Sequence, residues 1–234
     1  MIELLLQPRR DLTTAPLHVL AVGAHCDDVE IGAGGTLARI ATEIPGVRAH
    51  VVVLSSTPER AAEARSAAAA LLVPAEVSVD VHSLRDGRLP AHWDEVKDIF
   101  EDLGRTATPD VIFAPSPADA HQDHRLVGSM VHTAFRDHLV LHYEIPKWDG
   151  DLGASRPTHY VPLTEERARA KCDLLRAHFP SQHGRDWFSD ETFLGLARLR
   201  GMECRSRYAE AFSVDKTVIA LPTAGICLGY SRRA

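Results

Sequence analysis

His18-Val-Leu-Ala-Val-Gly-Ala-His25 is a short, unbroken apolar run with β-branched residues inside it. Such a run suits a strand buried on both faces, the kind found in parallel sheets covered by helices. The pattern recurs. Val47–Ser55 is a second apolar strand, and Val77–Leu84, Asp110–Pro115 and Leu139–Ile145 read as three further strands, separated by segments of helix formers. Thr36–Thr42 reads as a helix that stops near Pro45-Gly46, with Gly32–Gly35 as a turn before it. Pro58–Leu72 is rich in Ala, Glu and Arg, and Pro58 suits a first helical turn. Trp93–Leu103, Glu165–His178 behind an N-cap Thr164, and Asp190–Leu199 read as helices too. The alternation predicts an α/β fold, a Rossmann-like, mainly parallel sheet flanked by helices. After Trp148 the pattern weakens. Tyr208–Ser213 and Lys216–Leu221 close it, and this C-terminal part is expected to roof the crevice. No repeat, low-complexity tract or long linker interrupts residues 1–234, which read as one domain.

In an open parallel sheet the ligand crevice lies beyond the C-terminal strand ends. His25 ends the first run, Asp86 follows the third, and Ser116–His124 follows the fourth. These three loops are expected to open onto one edge of the sheet. Two of them crowd chemistry-bearing residues. In Ala24-His-Cys-Asp-Asp-Val-Glu30 a histidine meets adjacent carboxylates at a strand end. Burying like charges together is costly unless a cation compensates, and a divalent metal does so directly. The spacing lets His25 and Asp28 reach one ion, with Asp27 pointing elsewhere and free to act as a base. In His121-Gln-Asp-His124 two histidines bracket an acid. Either histidine can complete a three-ligand set with an open position, the layout of a catalytic zinc site. The spacing does not decide which one. Asp123 and the other histidine are left for orientation or proton transfer.

Ala24-His-Cys-Asp-Asp-Val-Glu-Ile-Gly-Ala-Gly-Gly-Thr36 resembles the Ala-His-x-Asp-Asp-x-Glu-x-Gly-x-Gly-Gly-Thr signature of the PIG-L/LmbE-like deacetylases, and His121–His124 resembles their second motif, usually His-Pro-Asp-His. Weaker likeness continues at Lys171, Ser181-Gln182 and Tyr208-Ala-Glu-Ala-Phe212. Cys26 and Gln122 stand where Pro is usual, and neither position supplies a ligand in the family. The resemblance implies zinc, with iron(II) as an alternative in the cell, held by His25, Asp28 and His124. It implies Asp27 as general base, a protonated His121 at the oxyanion, and Asp123 as the acid that orients it. It implies hydrolysis of an N-acetyl group on an amino sugar to give acetate and a free amine. Arg60, Glu63 and Asp86 match places that contact substrate in relatives; the plainer reading is an exposed helix pair and a turn aspartate. Tyr143, Glu144, Lys147 and Trp148 cluster after the fifth strand, where an aromatic beside charges suits a sugar ring. Cys26 is expected to point away from the metal.

Composition bounds the partners. The net charge is −6 with no basic stripe, which disfavours nucleic acid and anionic membranes. No apolar stretch approaches the roughly 20 residues of a membrane span. The four cysteines are scattered, so free thiols, a reducing compartment and a cytoplasmic location are expected. The expected partner is a small N-acetylated sugar, with a homo-oligomer left open. Two other readings compete. An amidase acting on a thiol conjugate or another N-acyl substrate would keep the metal and change the substrate. A nucleotide-binding module would use Gly32-Ala-Gly-Gly35, but the third glycine of Gly-x-Gly-x-x-Gly falls on Leu37 and the loop is acidic.

Overall fold

The computed structural model describes residues 3–6 and 16–219. Seven strands form one sheet in the order β3-β2-β1-β4-β5-β7-β6. Strands β1 (His18–Gly23), β2 (Arg48–Ser55), β3 (Glu76–Leu84), β4 (Val111–Pro115) and β5 (Leu139–Tyr143) run parallel. β7 (Tyr208–Ser213) lies antiparallel to β5 and to the edge strand β6 (His159–Leu163). The sequence reading lacks β6. Only Leu163 of its five residues is buried, and Pro162, tolerated at an edge, argues against a strand when read from sequence.

Alternation along β1 sorts the core into two layers. Val19 and Ala21 face one side with α1 (Asp28–Glu43), α2 (Pro58–Leu71) and α5 (Glu165–His178). Leu20 and Val22 face the other with α3 (Trp93–Thr106) and α4 (Gln122–Ala134). The final helix, α6 (Asp190–Cys204), packs on β6 and β7 through Leu163, Ala197 and Tyr208. Of the Lys216–Leu221 segment, residues 216–219 form no strand, while residues 220 and 221 and Cys227 lie outside the described residues. No helix among the described residues is long and apolar enough to cross a membrane.

The expected turn at Gly32–Gly35 is instead the interior of α1, which starts eight residues before Thr36, at Asp28. These glycines serve close approach. A Cβ on Gly32 would stand 2.1 Å from the Tyr143 ring, and one on Gly35 would stand 2.6 Å from Leu163. Here an ion pair is set against the helix backbone. Glu210 accepts from the Gly35 and Thr36 amides at 2.8 and 2.6 Å. Lys171 bonds Glu210 at 2.7 Å and donates to the Ile31 carbonyl, the group a regular helix would give to the Gly35 amide. The scattered Lys171 and Glu210 thus fix α1 on the sheet, and with it the loop at its head.

The strand order reverses between β1 and β4: β2 and β3 lie on one side, β5 on the other. The loops leaving β1 and β4 therefore diverge and open the crevice expected at such a switch point. The helices that follow them, α1 and α4, turn their N-termini toward it, where backbone dipoles favour negative charge.

Candidate active site

The two loops bring His25, Asp28 and His124 together. His25 Nδ1 lies 3.1 Å from His124 Nε2, Asp28 Oδ1 lies 3.3 Å from the same atom, and Asp28 Oδ2 lies 3.5 Å from His25 Nδ1. These separations match the edge of a tetrahedron, roughly 3.3 Å for metal–ligand bonds of about 2.0–2.1 Å. The donor set fits a divalent cation such as zinc, with two imidazoles and one carboxylate. Asp28 is pinned from behind by the Ala24 and His25 amides, at 2.8 and 2.9 Å. A second trio, His25, His121 and His124, also gathers three imidazoles. We favour Asp28 over His121 as the third donor. Asp28 is buried and needs a compensating cation, while His121 Nδ1 already accepts the Asp123 amide at 3.2 Å.

Each candidate ligand histidine has a carboxylate on its other ring nitrogen, the arrangement that orients metal-binding imidazoles. His25 Nε2 meets Asp86 at 3.0 Å and Asp123 at 3.3 Å. His124 Nδ1 faces Asp119 Oδ1 at 3.2 Å, outside the angle of a straight hydrogen bond. Asp119 is buried, receives the His121 amide at 2.7 Å and pairs with Lys147 at 3.1 Å. The sequence reading passes over Asp119. The signal for it was the need of His124 for a carboxylate partner, met two residues before His121 in the same loop.

The electrostatics describe a site short of positive charge. Burial opposes charge on His25, but Asp28 and the carboxylates on its far edge outweigh it and push the ring well above the usual histidine range. Burial likewise works against His124, yet Asp28 and Asp119 push it up to about 9. Burial alone would raise Asp28; the two imidazoles hold it well below the carboxylate range. A divalent ion among these groups would supply the positive charge that the carboxylates call for. Burial raises Asp27, partly offset by Arg60, whose guanidinium sits 3.0 Å from Asp27 Oδ1. Glu30, also buried, is pushed up to about 8 by burial.

Several expectations need correction. At His121, burial and then His124 and His25 lower the pKa, which works against the expected protonated ring. With Nδ1 accepting an amide, the neutral ring carries its proton on Nε2 and still donates. Asp123 does not orient the His121 ring. Its carboxylate takes the Gly87 and Leu89 amides at 2.8 and 3.1 Å and touches His25 instead. Tyr143 is a core residue, 0% exposed, with its hydroxyl donating to the Val22 carbonyl at 2.6 Å. Lys147 is buried and reaches the site only through Asp119. Arg60 and Glu63 are not an exposed pair. Arg60 bridges Asp27, Glu63 and Ser181, and Glu63 accepts from the Ser181 amide and hydroxyl at 2.8 and 2.7 Å. Ser181 is thus where the C-terminal third meets the crevice, at its rim, with α6 set away on β6 and β7. Glu144 pairs with Arg200, and Trp148 is exposed. Cys26 donates its thiol to the Ser55 carbonyl at 3.5 Å, and burial pushes its pKa up to about 12, so it points away from the ion-binding atoms.

Comparison with known proteins adds an independent line. Residues 20–135 match the PIG-L family, described as GlcNAc-PI de-N-acetylase. The chain is 28% identical over 172 residues to an uncharacterised deacetylase, YaiS, of Escherichia coli, covering 68% of this chain and 89% of that protein. Among solved structures it is similar to the N,N'-diacetylchitobiose deacetylase of Pyrococcus horikoshii, with a TM-score of 0.65, 22% identity and coverage of 85% and 83% of the two chains. It is also similar to GalB, the 4-carboxy-2-hydroxymuconate hydratase of Pseudomonas putida, with a TM-score of 0.66, 19% identity and coverage of 88% and 99%. Two activities on one fold leave the chemistry to be argued from the site.

Proposed function

We propose that this chain, which carries a PIG-L domain over residues 20–135, is a metal-dependent deacetylase that removes an N-acetyl group from a small amino sugar. The observation that carries the reading is the meeting of His25, Asp28 and His124 donor atoms within 3.1–3.5 Å, beside the buried carboxylate of Asp27. A divalent ion held by these three residues would polarise the acetamide carbonyl and acidify a water molecule. Zinc suits the set, and iron(II) is the alternative in the cell.

The chain's own groups supply the rest. Asp27 serves as the base that takes the water's proton. Its burial raises its proton affinity, and Arg60 restrains Oδ1. His121, neutral and protonated on Nε2, donates to the oxygen that gains charge as the carbonyl is attacked. Asp123 and Asp86 hold His25, and Asp119 stands behind His124. Arg60, with Asp27 on one side and Ser181 on the other, places a cation at the rim where sugar hydroxyls would enter.

The test is an acetate-release screen over N-acetylated amino sugars, with and without a chelator and with zinc or iron(II) added back. Chelator-sensitive acetate release supports the reading. A longer acid released from another N-acyl compound would transfer the activity to a different amidase substrate. Hydration of an unsaturated acid without amide cleavage would replace the reading with the chemistry named for the hydratase.

A further inference from the structure

A second cluster of metal-ligating groups lies behind the crevice. His132 stands in the last turns of α4, His142 one residue before the end of β5, and Asp215 two residues past β7. His132 Nε2 is 3.0 Å from His142 Nε2 and 2.8 Å from Asp215 Oδ2, and His142 Nε2 is 3.6 Å from the same oxygen. We propose that His132, His142 and Asp215 form a second metal site, one for a zinc-class divalent ion, that clamps the chain leaving β7 onto α4 and β5.

Three observations carry it. First, the donor atoms converge from three separate elements, at separations that bracket the roughly 3.3 Å edge of a tetrahedral zinc site. Second, His142 is oriented for the task. Its side chain is 0% exposed, and Nδ1 faces the Pro115 carbonyl at 2.8 Å. That carbonyl can only accept, so the ring proton sits on Nδ1 and the lone pair on Nε2 turns toward His132 and Asp215. A backbone carbonyl on the far nitrogen is a usual companion of a metal-bound imidazole. Third, access is open on one side: the side chains of His132 and Asp215 are 35% and 57% exposed. An ion can enter there and keep solvent in a fourth position.

The site is distinct from the His25 centre. His124 and His132 are eight residues apart on α4, which is about 12 Å at 1.5 Å per residue. His132 and Asp215 touch none of the residues placed in the chemistry above. The plainer arrangement is a shared-proton one, in which the one hydrogen on His132 Nε2 lies between His142 Nε2 and Asp215 Oδ2.

The two arrangements differ in metal uptake. Zn²⁺, and Co²⁺ for its visible spectrum, would be titrated into metal-stripped wild type, His132→Ala and Asp215→Asn. Folding is checked by circular dichroism; His142 stays intact because it is buried. The expected result is one fewer tightly held equivalent in each variant than in wild type, or a loss of affinity at that site of at least about tenfold. Deacetylase activity with the His25 centre loaded should be unchanged. The readout is a difference between wild type and variants, so it stands whether or not the His25 centre loads or the chain proves to be a deacetylase. Equal uptake by all three proteins, with the same affinities and the same Co²⁺ spectrum, overturns the proposal in favour of the shared proton.

Discussion

At the scale of single residues, the site separates groups that touch the reaction from groups that hold others in place. Asp27 has no position in the proposed ligand set, and its partner is Arg60. Asp27→Asn keeps the shape and removes the base. It should retain metal by elemental analysis and lose acetate release by about 100-fold or more; near-normal turnover would remove Asp27 from that role. Lys147 is a different case. It is buried against Asp119, which also faces His124. Lys147→Met leaves a buried carboxylate without its cation, a change that typically costs about 3–5 kcal/mol. Denaturant melts should show a loss of that order, and a loss under about 1 kcal/mol would mean that the imidazole and the His121 amide suffice. Asp27 and Lys147 differ in legibility. Asp27 sits in a motif whose crowded charges announce a cation. Lys147 looked like a loop cation near a sugar, because burial beneath the loop is not written in its neighbours.

At the scale of elements, α1 shows how glycine in a helix can be mistaken for a turn. Glycine lowers helix propensity by about 1 kcal/mol relative to alanine, so four residues with three glycines read as a break. Packing overrides that preference, because only glycine lets α1 approach Tyr143 and Leu163. Two glycines give a matched pair of tests. Gly32→Ala gains propensity but drives a methyl into the Tyr143 ring, and should destabilise by about 1–3 kcal/mol. Gly195→Ala, on the exposed side of α6 with nothing within 4 Å of the added carbon, should stabilise by up to about 1 kcal/mol. Thermal melts of the two variants must move in opposite directions. If both rise, the close contact at Gly32 is relieved by a small shift of Tyr143.

At the scale of the whole molecule, the order 3-2-1-4-5 of the parallel strands places the loops after β1 and β4 face to face. A metal joining them would bind the folded chain and have no equivalent in the unfolded one. Loading should therefore raise stability, by about 2.7 kcal/mol when free ion exceeds its dissociation constant 100-fold. Calorimetric midpoints with and without zinc check this, and the increment should shrink in His124→Ala. An unchanged midpoint on loading would count against any shared ion. By itself the sequence determined the parallel strands, from short runs rich in β-branched residues between helical segments, and the motif residues, because crowded acids and histidines imply a cation. Only the tertiary structure decided that Asp119 stands behind His124, that Asp123 serves His25 and that Tyr143 is core. It also decided that Lys171 and Glu210 hold α1, and that His132, His142 and Asp215 meet. The reason is physical: periodicity and local charge act between near neighbours, whereas these contacts join residues brought together only when separate elements pack.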